Sequence, residues 1–257
     1  MNFVRLASSW LCLLLAAVWA TGSPTDAPKN NLPVSSVRTL DSGSFGVWVN
    51  GERIASETFL IEQNSQGSTI TSEVKTHGAR DGADQKSTLQ LASDGNLRRY
   101  DWVELSPGTG RASIVPNAEF LTEQFSAGTP GKKDEKPTEQ PILLPHSVVV
   151  LDDYFFIHRE LAAWRYLAAT CRHEEQGVQC PVNQTAQLLA LNPHLHESQA
   201  LTLEYLGRET VSLRGTPREL NKLALRWESE VWTLWLDDQF KLVRVVVLGD
   251  GTEVLRD

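Results

Sequence analysis

Two histidines one residue apart, His194 and His196 in NPHLHES, are the first residues of this 257-residue chain whose types and spacing suggest chemistry. On an extended strand, side chains two apart point to one side. The pair could then hold a metal ion, with Glu197 as an oxygen donor, and serve a metal-assisted hydrolase. Pro193 before the pair and Glu197-Ser198 after it read as loop, which does not enforce that geometry. The sequence names no other ligand, so solvated loop histidines are the simpler reading.

Asp152, Asp153 and His158 form a second cluster. A carboxylate beside an imidazole suits proton transfer, but no nucleophile accompanies it. The aspartates are accounted for as the cap and dipole partners of a helix start. There is no G-x-S-x-G, no H-E-x-x-H and no phosphate-cradling glycine loop. Gly249-Asp250-Gly251 precedes a strand pattern, so it reads as a hairpin turn. No catalytic residue and no cofactor is assigned, and enzymatic activity is left open, leaning against. Asn183-Gln184-Thr185 has the form of a glycosylation acceptor, which matters only in a eukaryotic secretory pathway.

Tryptophan is the other notable residue. Trp48, Trp102, Trp164, Trp227, Trp232 and Trp235 remain after the first twenty residues, and five of them fall on expected strands. Aromatic groups on a curved sheet fill the core or line an apolar ligand pocket. Trp48, Phe59, Trp102, Trp232 and Trp235 are therefore the candidate ligand-contacting residues.

The elements that must position these groups are mostly strands. FGVWV and ERIASETFLIEQ flank Asn50-Gly51, the dipeptide best suited to a tight hairpin because both residues accept positive φ. Phe45, Val47 and Val49 share one face, and Ala55, Phe59 and Ile61 share another. STITSEVKTH, QKSTLQLA, LRRYDWVEL, RASIVP and EFLTEQF continue the pattern, with a turn at Asp94-Gly95. Residues 126–140 are charged, carry Pro and Gly, and read as a long mobile loop. The one clear helix starts near Asp153, with Tyr154, Ile157, Leu161, Trp164 and Ala168 on one stripe. AQLLALN, ALTLEYLG, ETVSLRG, ELNKLALRWE, EVWTLWLDD, KLVRVVVLG and TEVLRD are further strands. In EVWTLWL, Trp232, Leu234 and Leu236 face one way and Trp235 the other. The expected fold is mainly β: a curved antiparallel sheet or incomplete β-barrel with one main helix packed on its concave side.

The chain begins MNFVRLASSWLCLLLAAVWA, with Arg5 ahead of an apolar run from Trp10 to Val18 and a small residue at Ala20. That pattern predicts a signal peptide over 1–20, and hence a periplasmic or secreted protein that does not span the membrane after cleavage. Bulky Trp10 and Leu11 before Cys12 do not suit lipidation. Residues 21–43 read as a flexible leader and 44–257 as a single β-rich domain. Cleavage removes one charged residue, Arg5, taking the net charge from -8 to -9. So acidic a product has no attraction for phosphate backbones, which argues against nucleic acid. Loss of Cys12 leaves Cys171 and Cys180, which are expected to form a disulfide in an oxidising compartment.

FGVWVNGERIASETFLIEQ, ILLPHSVVVLDDYFFIHRELAAWRYL and VWTLWLDDQFKLVRVVVLGDGTEV together resemble an uncharacterised family of exported bacterial proteins, itself similar to the LolA/LolB-type lipoprotein carriers. The resemblance implies an incomplete, strongly curved antiparallel barrel with helices in its concavity. Within it, Trp235-Leu236-Asp237-Asp238 matches the turn into the last hairpin. It implies a carrier or binding protein for a hydrophobic envelope ligand, a lipid or lipoprotein-like molecule. The charged insert and the cysteine pair depart from that pattern, so no binding residue is carried over. An envelope structural or assembly factor acting through contacts with another envelope protein is the alternative, and the metal-assisted hydrolase a further one.

Overall fold

The structure is a computed structural model that describes residues 36–78, 82–128, 136–175, 177–227 and 230–257. The expected signal peptide with Cys12, the leader up to residue 35 and positions 129–135 of the charged loop lie outside the described residues.

The first eight strands are β1 (Arg38–Val49), β2 (Glu52–Asn64), β3 (Gly67–Thr76), β4 (Asp84–Ala92), β5 (Leu97–Ser106), β6 (Arg111–Asn117), β7 (Phe120–Ser126) and β8 (Thr138–Ile142). After them come β9 (Val149–Val150), the helix α1 (Ile157–Thr170) and a small hairpin of β10 (Arg172–Glu174) and β11 (Gly177–Gln179). The chain then returns through β12 (Thr185–Asn192), β13 (Glu197–Leu213), β14 (Thr216–Trp227), β15 (Glu230–Leu236), β16 (Leu242–Val247) and β17 (Thr252–Arg256).

Fifteen of these strands form one sheet in the order β8-β7-β6-β5-β4-β3-β2-β1-β17-β16-β15-β14-β13-β12-β9. Neighbours are antiparallel except β9, which runs parallel to β12. The two outermost strands, β8 and β9, are joined through residues 143–148 alone. A flat sheet of this width would set them roughly 65 Å apart. So short a connector reaches only about 25 Å at full stretch. The sheet must therefore curl, and it does so without its outer strands pairing. The result is the expected incomplete barrel.

Local sequence explains the hairpins. Asn50 and Gly51 have φ of 51° and 82°, and Val49 pairs with Glu52 across them, as a two-residue turn requires. Gly67 opens β3 at φ 146°, where a Cβ would run into the carbonyl oxygen of Leu91, so only glycine fits. Three expectations are corrected. β1 begins at Arg38, so residues 38–43 are strand rather than leader. Their low apolar content is misleading because Asp41 is buried by pairing with Arg256 and Lys241. ALTLEYLG and ETVSLRG are one long strand, β13, with a register shift between Tyr205 and Gly207. The charged segment interrupts one continuous sheet, since β8 pairs with β7, and positions 138–140 within it are strand.

The concave face and α1 share one core, which includes Phe45, Phe59, Tyr100, Phe155, Leu223 and Leu234. The helix is enclosed on nearly all sides near its start: Ile157, His158, Arg159 and Glu160 are all buried. An amphipathic stripe does not describe it there, because a helix lodged inside a curl has no solvent side. The aspartates do not cap it either. The N-cap residue is Phe156, without a side-chain cap of its own, and Tyr154, ahead of the helix, is 44% exposed. Glu57 on β2 performs the capping, accepting the backbone N–H of Phe156 at 2.7 Å and of Ile157 at 3.2 Å. Past the other end of α1, Cys171 and Cys180 form the expected disulfide and close the β10–β11 hairpin. No helix among the described residues is long and apolar enough to cross a membrane.

Candidate functional site

Trp232 lies beside the start of α1, its ring 6.3 Å from that of the N-cap residue Phe156. Trp232 on β15 lies opposite Leu225 on β14 and opposite Val247 on β16. Its indole therefore stands between two depressions. One, of about 180 Å³, is lined by Arg159, Asn192, Glu197, Gln199, Trp227 and Trp232 among others. The other, of about 300 Å³, is lined mainly by apolar groups, Val47, Val49, Ile54, Phe156 and Val247. Asp153, Glu230 and Trp232 border both. The pair forms a two-lobed cleft, one lobe polar and one apolar.

The polar lobe has unmet hydrogen-bonding capacity. Arg159 is fully buried, and its guanidinium lies 4.3 Å from the Trp232 ring centroid. Its Nη1 donates to the carbonyl oxygens of Asp152 and Phe155. Its Nη2 stands 3.5 Å from Asp153 Oδ1, a weak ion pair, and neither Nη2 nor Nε has a hydrogen-bond acceptor. Burial pushes its affinity for the proton down, opposed by Asp153, Asp152, Glu57 and Glu230. The buried Oε1 of Gln199 likewise lacks a donor. Unmet buried polar atoms cost about 1–3 kcal/mol each. These atoms are buried in the wall of the polar lobe without hydrogen-bond partners. Trp232 is itself held by Nε1 donating to Glu230 at 2.9 Å.

A second polar cluster lies beneath the turn after β12. Asp152 is fully buried and accepts from Tyr100 Oη at 2.5 Å and from the Tyr154 N–H at 2.9 Å. His194 Nδ1 sits 2.8 Å from the same carboxylate, and its Nε2 sits 2.8 Å from Gln85 Oε1. Burial alone would raise the Asp152 carboxyl, but His194, His158 and Tyr100 hold it below the usual carboxylate range. His194 is sandwiched between Trp102 at 4.1 Å and Tyr154 at 4.5 Å. His158 gains no second polar partner. Burial lowers it to about 4, so it stays neutral, with Nδ1 accepting the Asp152 N–H. With its imidazole fastened at both nitrogens, the His194 cluster is a clasp for the turn at 193–196.

The structure does not unite the residues singled out from sequence. His194 and His196 engage different carboxylates, His196 Nδ1 lying 2.8 Å from Glu123. The positive φ of His196, 55°, breaks the strand geometry that would have aligned them. No group of three His, Cys, Asp or Glu able to hold a metal exists among the described residues. Phe59 is a core residue stacked on Phe45 at 4.8 Å. Trp235 faces the other side of the sheet, in a small cluster with Val211, Leu220 and Val243, and donates to Glu209 at 2.7 Å. Trp48 lies beside Arg53, and Trp102 belongs to the His194 clasp. Of the five aromatic candidates, only Trp232 borders the cleft. Among the described residues, side chains of α1 and the sheet share one core in the concavity, and the cleft lies at the helix start.

Sequence reasoning passed over Arg159 and Glu57. For Glu57 a signal existed: it sits in phase with Ala55, Phe59 and Ile61, a charge in the middle of an inward-facing row. For Arg159 there was none, because a charged residue on a helix reads as solvent-facing by default.

No family model and no curated protein matches the chain. Among solved structures it is similar to a β-barrel-like protein of a domain of unknown function, DUF1849, from Brucella abortus. The identity is 9%, covering 84% of this chain and 94% of that one, with a TM-score of 0.49.

Proposed function

We propose that the protein is a non-catalytic binding protein of the bacterial cell envelope whose ligand is a small amphiphile seated across Trp232. The observation that carries this reading is the two-lobed cleft. An apolar lobe lined by Val47, Val49, Ile54, Phe156 and Val247 adjoins a polar lobe above a buried arginine whose Nε and Nη2 lack a hydrogen-bond acceptor. A purely hydrophobic ligand would leave Arg159 and Gln199 unmet, and a purely polar one would leave the apolar lobe wet. The signal-like first twenty residues support the envelope as the place of action. A wider depression of about 530 Å³ near Arg214 and Arg256 is a poorer candidate, because those arginines already bind Asp257 and Asp41.

Isothermal titration below micellar concentration tests the reading. Octyl glucoside and octylammonium are compared with tail-less methyl glucoside on the disulfide-intact protein. At least one octyl probe is expected to bind, with methyl glucoside far weaker, and Trp232→Ala should abolish binding while the far-UV spectrum is unchanged. Failure of both octyl probes, or binding indifferent to Trp232→Ala, overturns it.

A further inference from the structure

Resting on the amphiphile-binding reading, we infer that the polar lobe is a subsite for one uncharged pyranose ring, so that the ligand class is a glycolipid or other alkyl glycoside. Its volume of about 180 Å³ corresponds to roughly six water molecules at about 30 Å³ each, room for a single sugar ring and little more.

The polar inventory is mixed. Arg159 Nε and Nη2 and Gln199 Oε1 are buried without hydrogen-bond partners, Nη2 keeping only its weak ion pair with Asp153. Glu197 and Glu230 add carboxylate acceptors on the same wall. A phosphate or carboxylate head would meet Asp153, Glu197 and Glu230 together, and like charges disfavour it. An ammonium head would satisfy those carboxylates but leave the arginine donors empty. Sugar hydroxyls both donate and accept, so one ring can serve Arg159, Gln199 and Glu197 at once without bringing charge into the lobe. The two indoles, Trp227 and Trp232, supply apolar wall for the C–H face of such a ring. Trp232 also borders the apolar lobe, which places an alkyl aglycone directly beside the sugar.

The test compares head groups on one tail. Octyl glucoside, octylammonium and octanoate are titrated into the wild-type protein, Glu197→Gln and Gln199→Ala, both changes lying at the lobe and away from the core. Octyl glucoside is expected to bind at least tenfold more tightly than either charged probe. Each substitution should weaken it about tenfold, and the charge-neutral Gln199→Ala should change octylammonium or octanoate binding less than twofold. Equal or tighter binding of octylammonium or octanoate overturns the pyranose subsite yet leaves the amphiphile reading standing. So does octyl glucoside binding that neither substitution alters. Failure of every octyl probe removes both.

Discussion

Replacing Glu57 by glutamine takes a titrating group out of the core without changing its shape. Glu57 is fully buried and accepts three hydrogen bonds, from Ser72 Oγ at 2.7 Å and from the N–H groups of Phe156 and Ile157. Burial pushes its carboxyl from 4.5 up to about 7, against the pull of those donors and of Arg159. A carboxyl raised in the folded state holds its proton more tightly there than in the unfolded chain. Its stabilising contribution is thus fully present below pH 4.5 and is lost as pH rises through 7. The difference of about 2.5 between those values, at about 1.4 kcal/mol per unit, gives roughly 3 kcal/mol. Glu57→Gln has no such dependence. At low pH it should be less stable than wild type by about 1–3 kcal/mol, because its NH2 group faces an N–H donor. By pH 8 that deficit should have vanished or reversed. Urea unfolding of both proteins at several pH values from 4 to 8 reads the difference directly, since titrations common to both cancel. A difference that stays constant within about 0.5 kcal/mol refutes the burial argument. A wild type that gains on the variant as pH rises shows that the amide donors keep Glu57 ionised.

Three further outcomes follow from the same geometry. His158 has the opposite sign: it is lowered from 6.5 to about 4, so stability is full above pH 6.5 and falls as pH drops through 4. His158→Gln should remove about 3 kcal/mol of that acid dependence, read by the same unfolding series. Reducing the Cys171–Cys180 bond, which closes a sequence separation of 9, should cost about 2–3 kcal/mol. Urea unfolding with and without reductant measures it, and no loss would show the loop to be equally constrained without the bond. Gly67→Ala should cost more than about 2 kcal/mol, because the new Cβ meets the Leu91 carbonyl in a left-handed backbone that only glycine tolerates. Thermal unfolding decides it, and an unchanged Tm would mean that the β3–β4 register relaxes.

The hairpins were legible because their information is local. Asn50-Gly51 announces its turn, and the alternation in EVWTLWL placed Trp232 and Trp235 on opposite faces as observed. The helix existed where expected, but its cap did not, because Glu57 reaches it from 99 positions away. Asp41 and Arg256 are 215 residues apart, and that pairing hid the strand character of residues 38–43. The candidate site was the least legible part. Its polar lobe gathers α1, β12, β13, β14 and β15, and its defining feature, the unmet donors of Arg159, comes from tertiary burial alone.

The adjacency of β1 and β17 fixes how the chain can assemble. From β1 to β8, and again from β12 to β17, each strand pairs with its sequence neighbour, so each half is a meander that can zip up from local contacts. Among the described residues, the ladder from Phe45–Arg256 to Val49–Thr252 is the only strand pairing between them, across more than two hundred residues of chain, at the entropic penalty of a very long loop. Contacts of that separation form late and slow a folding reaction. The β1–β17 ladder is the longest-range strand pairing in the sheet. Parting there would leave two half-sheets still linked by the β8–β9 connector and by the His194–Gln85 and His196–Glu123 contacts.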